Sequence, residues 1–267
     1  MIPFWDAAEA QLAERFLRDG YIVQPVDDRA ALDRIQSLIA SLAGQFVGRD
    51  PGPDPAAFLD RMHEWVGVDR VNDLRLHMIQ GMNAQDWLRQ AYFSAARSSV
   101  QTIVGNELCM QRRVNLSVQM PGDESSVLAS HADVWSGDSP FEVVLWIPLV
   151  DCHGTKSMFL APPQVDAAIQ AQLASFGSVE AAFRQFQDQV VFLDIPYGHV
   201  LLFNQNLMHG NRVNTTAETR WSMNCRFKSI MSPYADKKLG DFFEPILLRP
   251  ATRLGMTYRL PEGFDEP

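Results

Sequence analysis

The sequence predicts a mainly β fold with α, closed into a barrel or built as two sheets, with helices packed outside it. Three observations carry this reading. Apolar residues recur at helical spacing through the first third of the 267 residues. After about Asn106, short β-branched and aromatic runs bounded by turn residues take over. No linker separates the two textures, so residues 1–267 are expected to form a single domain: helical support over 1–105, a β core over 106–235 and a C-terminal extension over 236–267.

The elements follow in order. "DAAEAQLAERFLRDG" (6–20) has an Asp at its N-cap, apolar residues at helical spacing and Gly20 as a stop. "YIVQPV" (21–26) is short, β-rich and ends in proline, the pattern of a strand. "DRAALDRIQSLIASLAGQF" (28–46) places Leu32, Ile35, Ile39 and Leu42 on one helical face. "GRDPGPDP" (48–55) is a proline-broken loop, and helical patterns return over 71–82 and 84–104. Strands are expected in the runs 110–120, 141–150, 156–163, 189–195, 199–205 and 220–230, with one helical insert near 164–187.

Composition narrows the function classes. Apolar residues make up 46% and charged residues 21%, the balance of a globular chain in water. A net charge of -9 disfavours general nucleic-acid binding. Cys109, Cys152 and Cys225 lie far apart and form no CxxC pair. They build neither a disulfide framework nor a zinc ribbon, and a reducing cytoplasm is the expected compartment. The opening residues lack a basic n-region and a continuous apolar run, so no signal peptide is expected. The longest apolar run, 141–150, is too short to span a bilayer. The expected partner is a small-molecule substrate, with no nucleic acid and no membrane; oligomeric state is left open.

The chemistry concentrates in two stretches. In "SHADVW" (130–135), His131 and Asp133 would share one face if the segment is extended. On its own the tripeptide is equally a surface polar pair or a loop cap. His209 follows an apolar run in "FNQNLMHGNRVN", and Arg220 opens the next run eleven residues later. Two imidazoles and a carboxylate make the facial triad of non-haem Fe(II) oxygenases, which leaves metal positions open for a bidentate cosubstrate and dioxygen. An arginine fork one strand away suits the far carboxylate of such a cosubstrate. Period two also aligns Arg220, Ser222, Asn224 and Arg226 on one face, with Trp221, Met223, Cys225 and Phe227 on the other. His199 is the main rival for the distal ligand, but no arginine follows it at a suitable distance on the next strand.

These residues resemble the phytanoyl-CoA hydroxylase-like branch of the Fe(II)/2-oxoglutarate-dependent dioxygenases. The likeness is strong over about residues 110–235, and the wider wording is similar to oxygenases of bacterial carbohydrate-biosynthesis clusters. The resemblance implies a double-stranded β-helix, or jelly roll, over 106–235, supported by the N-terminal helices. It implies Fe(II) on His131, Asp133 and His209, with 2-oxoglutarate and dioxygen as cosubstrates. Arg220 would take the 5-carboxylate, with Ser222 and Gln119 as further cosubstrate contacts. Halogenating relatives carry a small residue in place of the aspartate, so Asp133 implies hydroxylation or a related C–H oxidation.

Four residues are candidate substrate contacts: Asn115 on the strand before the triad, Trp135 two positions beyond Asp133, Lys156, and Arg226 on the Arg220 face. Each has a plainer reading, respectively an exposed polar face, core packing, a surface lysine and a structural ion pair. Two rival functions stay open at this point. One is a cupin-like metal enzyme that uses no 2-oxoglutarate. The other is a non-catalytic jelly-roll binding module.

Overall fold

The computed structural model describes residues 4–263. Local signals set the first elements. Helix α1 (Ala7–Asp19) starts at a capping box in which Asp6 accepts from the N–H groups of Ala8 and Glu9. It stops at Gly20, whose φ of 79° suits glycine and whose N–H closes on Phe16 O. Strand β1 (Tyr21–Pro25) follows, then α2 (Arg29–Val47), capped by Asp28, with Leu32, Ile35 and Ile39 fully buried. The proline-rich stretch leads into α3 (Pro55–Asp60), and α4 (Val71–Asn83) follows. The single run expected over 84–104 is two helices, α5 (Leu88–Ser94) and α6 (Arg97–Val104), because the chain turns at the buried pair Ala95 and Ala96.

The seven-stranded sheet runs β1, β7 (His199–Asn204), β4 (Glu142–Pro148), β9 (Arg220–Ser229), β2 (Leu108–Gln111) and β10 (Phe243–Leu247), with β3 (Asn115–Gln119) also paired to β9. Strands β2 and β3 divide the run 110–120 at Arg112–Val114. Both pair antiparallel with the ten-residue β9, β2 at its far end and β3 at its start. Strand β4 lies between β9 and β7, and all seven of its residues are buried. A second, three-stranded sheet holds β6 (Val191–Phe192), β5 (Phe159–Leu160) and β8 (His209–Gly210) in that order. Helices α7 (Pro163–Gln172) and α8 (Val179–Phe186) fill the expected insert between β5 and β6. The chain then reaches β10 and α9 (Pro250–Thr257).

The two faces of β9 point to different surroundings. Trp221, Met223, Cys225 and Phe227 are fully buried in the main core with residues of α2 to α6. Polar links fix that contact: Trp221 Nε1 donates to Leu59 O at 2.9 Å, and the Tyr92 hydroxyl on α5 donates to Leu145 O at 2.6 Å. The opposite face, with Arg220, Asn224 and Arg226, lines a cavity. The three cysteines are buried and free. Among the described residues, no helix is long and apolar enough to cross a membrane.

Candidate metal centre and its cavity

The histidines meet through backbone pairing. His131 and His209 are opposite residues of an antiparallel bridge, and each donates its N–H to the other's carbonyl, at 2.9 and 2.8 Å. Opposite residues point to the same face, so the imidazoles lie side by side with ring centroids 4.4 Å apart. Asp133 arrives differently. The extended segment expected over 130–135 ends at Ala132, and Asp133–Ser136 forms a 3₁₀ turn. Asp133 N–H donates to Gln205 O at 3.0 Å, which anchors the turn beneath the histidine pair.

The ligand atoms of His131, Asp133 and His209 all lie within 4.8 Å of one another. Asp133 Oδ1 is 3.3 Å from His131 Nε2 and 3.9 Å from His209 Nε2. Each histidine's Nδ1 lies 2.8 Å from a backbone carbonyl, Ala129 O for His131 and Leu207 O for His209. A carbonyl only accepts, so Nδ1 carries the hydrogen and each Nε2 turns its lone pair toward the carboxylate. Three electron-pair donors therefore converge on one small volume and call for a cation between them. Two neutral imidazoles oriented by carbonyls, plus one carboxylate, fit a divalent transition metal.

Charge follows this geometry. Burial opposes the ionised form of Asp133, but its position beside His131 and the charge of Arg226 hold its carboxyl well below the usual range. Burial and the neighbouring His131 lower His209 to about 4, so its imidazole is neutral at pH 7.

The triad opens on a cavity of about 240 Å³. Asn224 and Arg226 on β9 face Trp146 and Val144 on β4, and Asn115 on β3 pairs with Asn224. The amide of Asn115 donates to Asn224 Oδ1 at 2.9 Å. Phe203, Met158 and Leu128 complete an apolar wall. Arg220 lies at the opposite end of this polar row from Arg226 and is 5% exposed. Its Nη2 donates to Ser117 Oγ at 2.7 Å and its Nη1 to Ser157 O at 3.4 Å, while its Nε has no partner. Among the described residues, no carboxylate pairs with it; burial lowers its pKa to about 10, which leaves it charged at neutral pH. The Ser222 hydroxyl on the same strand face is also buried without a partner.

The structure does not bring every expected contact to the cavity. Gln119 shares the strand face of Asn115 and Ser117 but does not itself line the cavity; it donates to Arg212 O at 2.7 Å and accepts from Asn211 Nδ2 at 3.2 Å, so it braces the turn after His209. Trp135 does not line the cavity and packs against the cluster that holds Phe159, Ile169 and Phe183, because the 3₁₀ turn breaks the period-two alternation at Asp133. Lys156 is no surface or pocket lysine. Its buried ammonium sits 2.7 Å from Asp60 and 2.6 Å from Glu218, tying α3 to the turn before β9. Arg226 does line the cavity, but Asp133 and Asp138 hold it in ion pairs. The sequence reading missed Val144, Trp146 and Phe203, because β4 and β7 are uninterrupted apolar runs in which period two marks no inner face.

Comparison with solved structures shows the same fold in other proteins. The chain is similar to a non-haem monooxygenase, ThoJ, in a nickel complex, with 17% identity and a TM-score of 0.55 over 94% of this chain and 89% of that one. It is similar to the non-haem α-ketoglutarate-dependent epimerase SnoN from nogalamycin biosynthesis, with 15% identity and a TM-score of 0.54 over 98% and 93%. It is also similar to the carbocyclase SnoK of the same biosynthesis, with 13% identity and a TM-score of 0.55 over 88% and 95%. No protein-family model and no curated protein matches the sequence.

Proposed function

We propose that the chain is an Fe(II)- and 2-oxoglutarate-dependent oxygenase of the phytanoyl-CoA hydroxylase-like kind, built on a jelly roll. In this reading it hydroxylates an aliphatic C–H bond of a small polar metabolite. The observation that carries it is the pairing, in one cavity, of a three-donor metal site with a buried arginine that has no acidic partner. A buried cation without a counter-charge is costly, and a dicarboxylate that reaches from metal to arginine supplies that charge. The unpartnered Ser222 hydroxyl, two residues along the same face, is the second donor for that carboxylate.

When bound, the iron supplies dioxygen activation coupled to oxidative decarboxylation of 2-oxoglutarate. Overall, one oxygen atom enters succinate as carbon dioxide leaves, and the other enters the substrate as a hydroxyl. His131, Asp133 and His209, all of which line the cavity, would hold the ion. Arg220, Ser117 and Ser222 orient the cosubstrate by its far end. Trp146, Val144 and Phe203 exclude water, and the Asn115–Asn224 amide pair offers hydrogen bonds to a polar substrate. With Arg226 held by two carboxylates, the cavity has no second uncommitted cation among the described residues, which favours an uncharged substrate. Carbohydrate-derived metabolites, rich in hydroxyls, are the class to test first.

The test is succinate release with Fe(II), 2-oxoglutarate and panels of sugars, nucleotide sugars and amino acids, with products analysed. SnoN is named an epimerase and SnoK a carbocyclase, so the product decides between hydroxylation and another outcome. Substrate-stimulated succinate is the expected result. Turnover that ignores 2-oxoglutarate, or purified protein that takes up no Fe(II), would sink the proposal.

A further inference from the structure

The two oxygens of Asp133 have separate partners. Oδ1 faces the histidine Nε2 atoms, at 3.3 and 3.9 Å, whereas Oδ2 lies 2.8 Å from Arg226 Nη2. Arg226 is itself fixed from behind. Its Nε is 3.0 Å from Gln205 Oε1 and 3.2 Å from Asp138 Oδ1. The Gln205 amide nitrogen is committed to Ser139 O at 3.1 Å and Glu142 Oε2 at 3.2 Å, which turns its oxygen toward the guanidinium. The same Gln205 accepts the Asp133 backbone N–H through its carbonyl. Asp138, with its side chain 1% exposed, also holds Lys237 from the segment before β10.

We propose that Arg226 is a positioning residue of the metal centre. It takes up Asp133 Oδ2, so that Asp133 binds the metal through Oδ1 alone. A carboxylate free to rotate can chelate through both oxygens and fill a coordination position that a bidentate cosubstrate needs. Arg226 prevents this by an ion pair already oriented by Gln205 and Asp138, and Lys237 extends the brace to the C-terminal segment. The same contacts argue against Arg226 as an anion-binding residue for substrate, because two carboxylates already share its charge.

This inference rests on the reading of His131, Asp133 and His209 as a metal centre, and the experiment separates the two. Co(II) is added to the full-length protein, and the dissociation constant is read by calorimetry and the coordination by visible d–d absorption. The wild type and His131→Ala test the centre itself. Arg226→Gln tests the positioning role, with far-UV circular dichroism to confirm the fold. Arg226→Gln frees Oδ2 and removes a positive charge beside the site, so it is expected to tighten Co(II) binding by about tenfold and to change the d–d bands. Arg226→Lys keeps the charge without the fork and is expected to fall between the two, and it carries the test if the glutamine variant does not fold. A fully folded Arg226 variant with wild-type affinity and spectrum overturns the positioning role and leaves the centre intact. Wild-type protein that takes no Co(II), or binds it no better than His131→Ala, overturns the centre and this role with it.

Discussion

His131 and His209 are directly opposed across an antiparallel bridge, and their mutual backbone hydrogen bonds set the imidazoles side by side. The distance between the two nitrogen ligands is thus a property of strand pairing. Only Asp133, delivered by a 3₁₀ turn, depends on a separate local geometry.

Loss of one donor should therefore disable the centre without unfolding it. His209→Ala and Asp133→Asn are each expected to lower Fe(II) affinity by more than about 100-fold, since even outer-shell changes at such sites reach that range. Calorimetry under anaerobic conditions measures this. Unchanged affinity in either variant would place the metal elsewhere.

In the proposed function Arg220 holds the cosubstrate and not the metal, and the two can be separated. Arg220→Gln is expected to raise the dissociation constant of 2-oxoglutarate by about 100-fold while leaving Co(II) affinity near wild type. Ser222→Ala removes one hydrogen bond to a charged carboxylate and should cost about tenfold to 100-fold. Titration of the metal-loaded protein with 2-oxoglutarate reads both. Equal weakening of metal and cosubstrate in Arg220→Gln would show general damage and count against the assigned role.

Lys156 holds the fold together. Its ammonium is buried between Asp60 and Glu218, so Lys156→Met should lower unfolding stability by about 2 kcal/mol, less than for a fully enclosed pair because both acids keep some exposure. Burial lowers its pKa, but the two carboxylates outweigh this and raise it above the ordinary lysine value. A base whose folded pKa is raised stabilises fully below the unfolded value, about 10.5, and loses that contribution as pH rises through the folded one. The gap between wild type and variant in urea unfolding should thus be constant from about pH 7 to 9 and shrink above about 10.5. A gap that widens with alkali would contradict the pairing.

These residues also show what the sequence could reveal. Caps such as Asp6, Asp28 and Gly20 act within one helical turn, so α1 and α2 are legible to within a residue or two. His131, Asp133, His209 and Arg220 stood out because few side chains have their chemistry and because strand order constrains their spacing. Lys156 misled because its partners are 96 and 62 residues away in the chain. Trp135 misled because alternation was carried two residues beyond the point where the backbone turns helical. A structural ion pair is one of the two readings the sequence allows for Arg226, but nothing local names Asp133 as its partner, which only the sheet brings near.

Gly210 offers a test of the histidine bridge that removes no donor. Its φ lies outside the left-handed region, so alanine is conformationally acceptable there and the cost is steric. A Cβ at this position would sit 3.0 Å from Leu128 O, 3.2 Å from the Phe159 ring and 3.3 Å from Ala129 O. Two of these contacts are backbone carbonyls, which yield less easily than side chains. Ala129 O is also the acceptor that orients His131 Nδ1. Relief of the crowding must move the 128–129 segment and turn the His131 ring. Gly210→Ala is therefore expected to cost about 1 kcal/mol of stability, the low end for overpacking. It should weaken Co(II) binding by about tenfold, as loss of ligand orientation does. Urea unfolding and calorimetry on the same preparation give the two numbers. Stability lost with metal affinity unchanged would mean that His131 is held by its bridge to His209 alone and not by the Ala129 carbonyl.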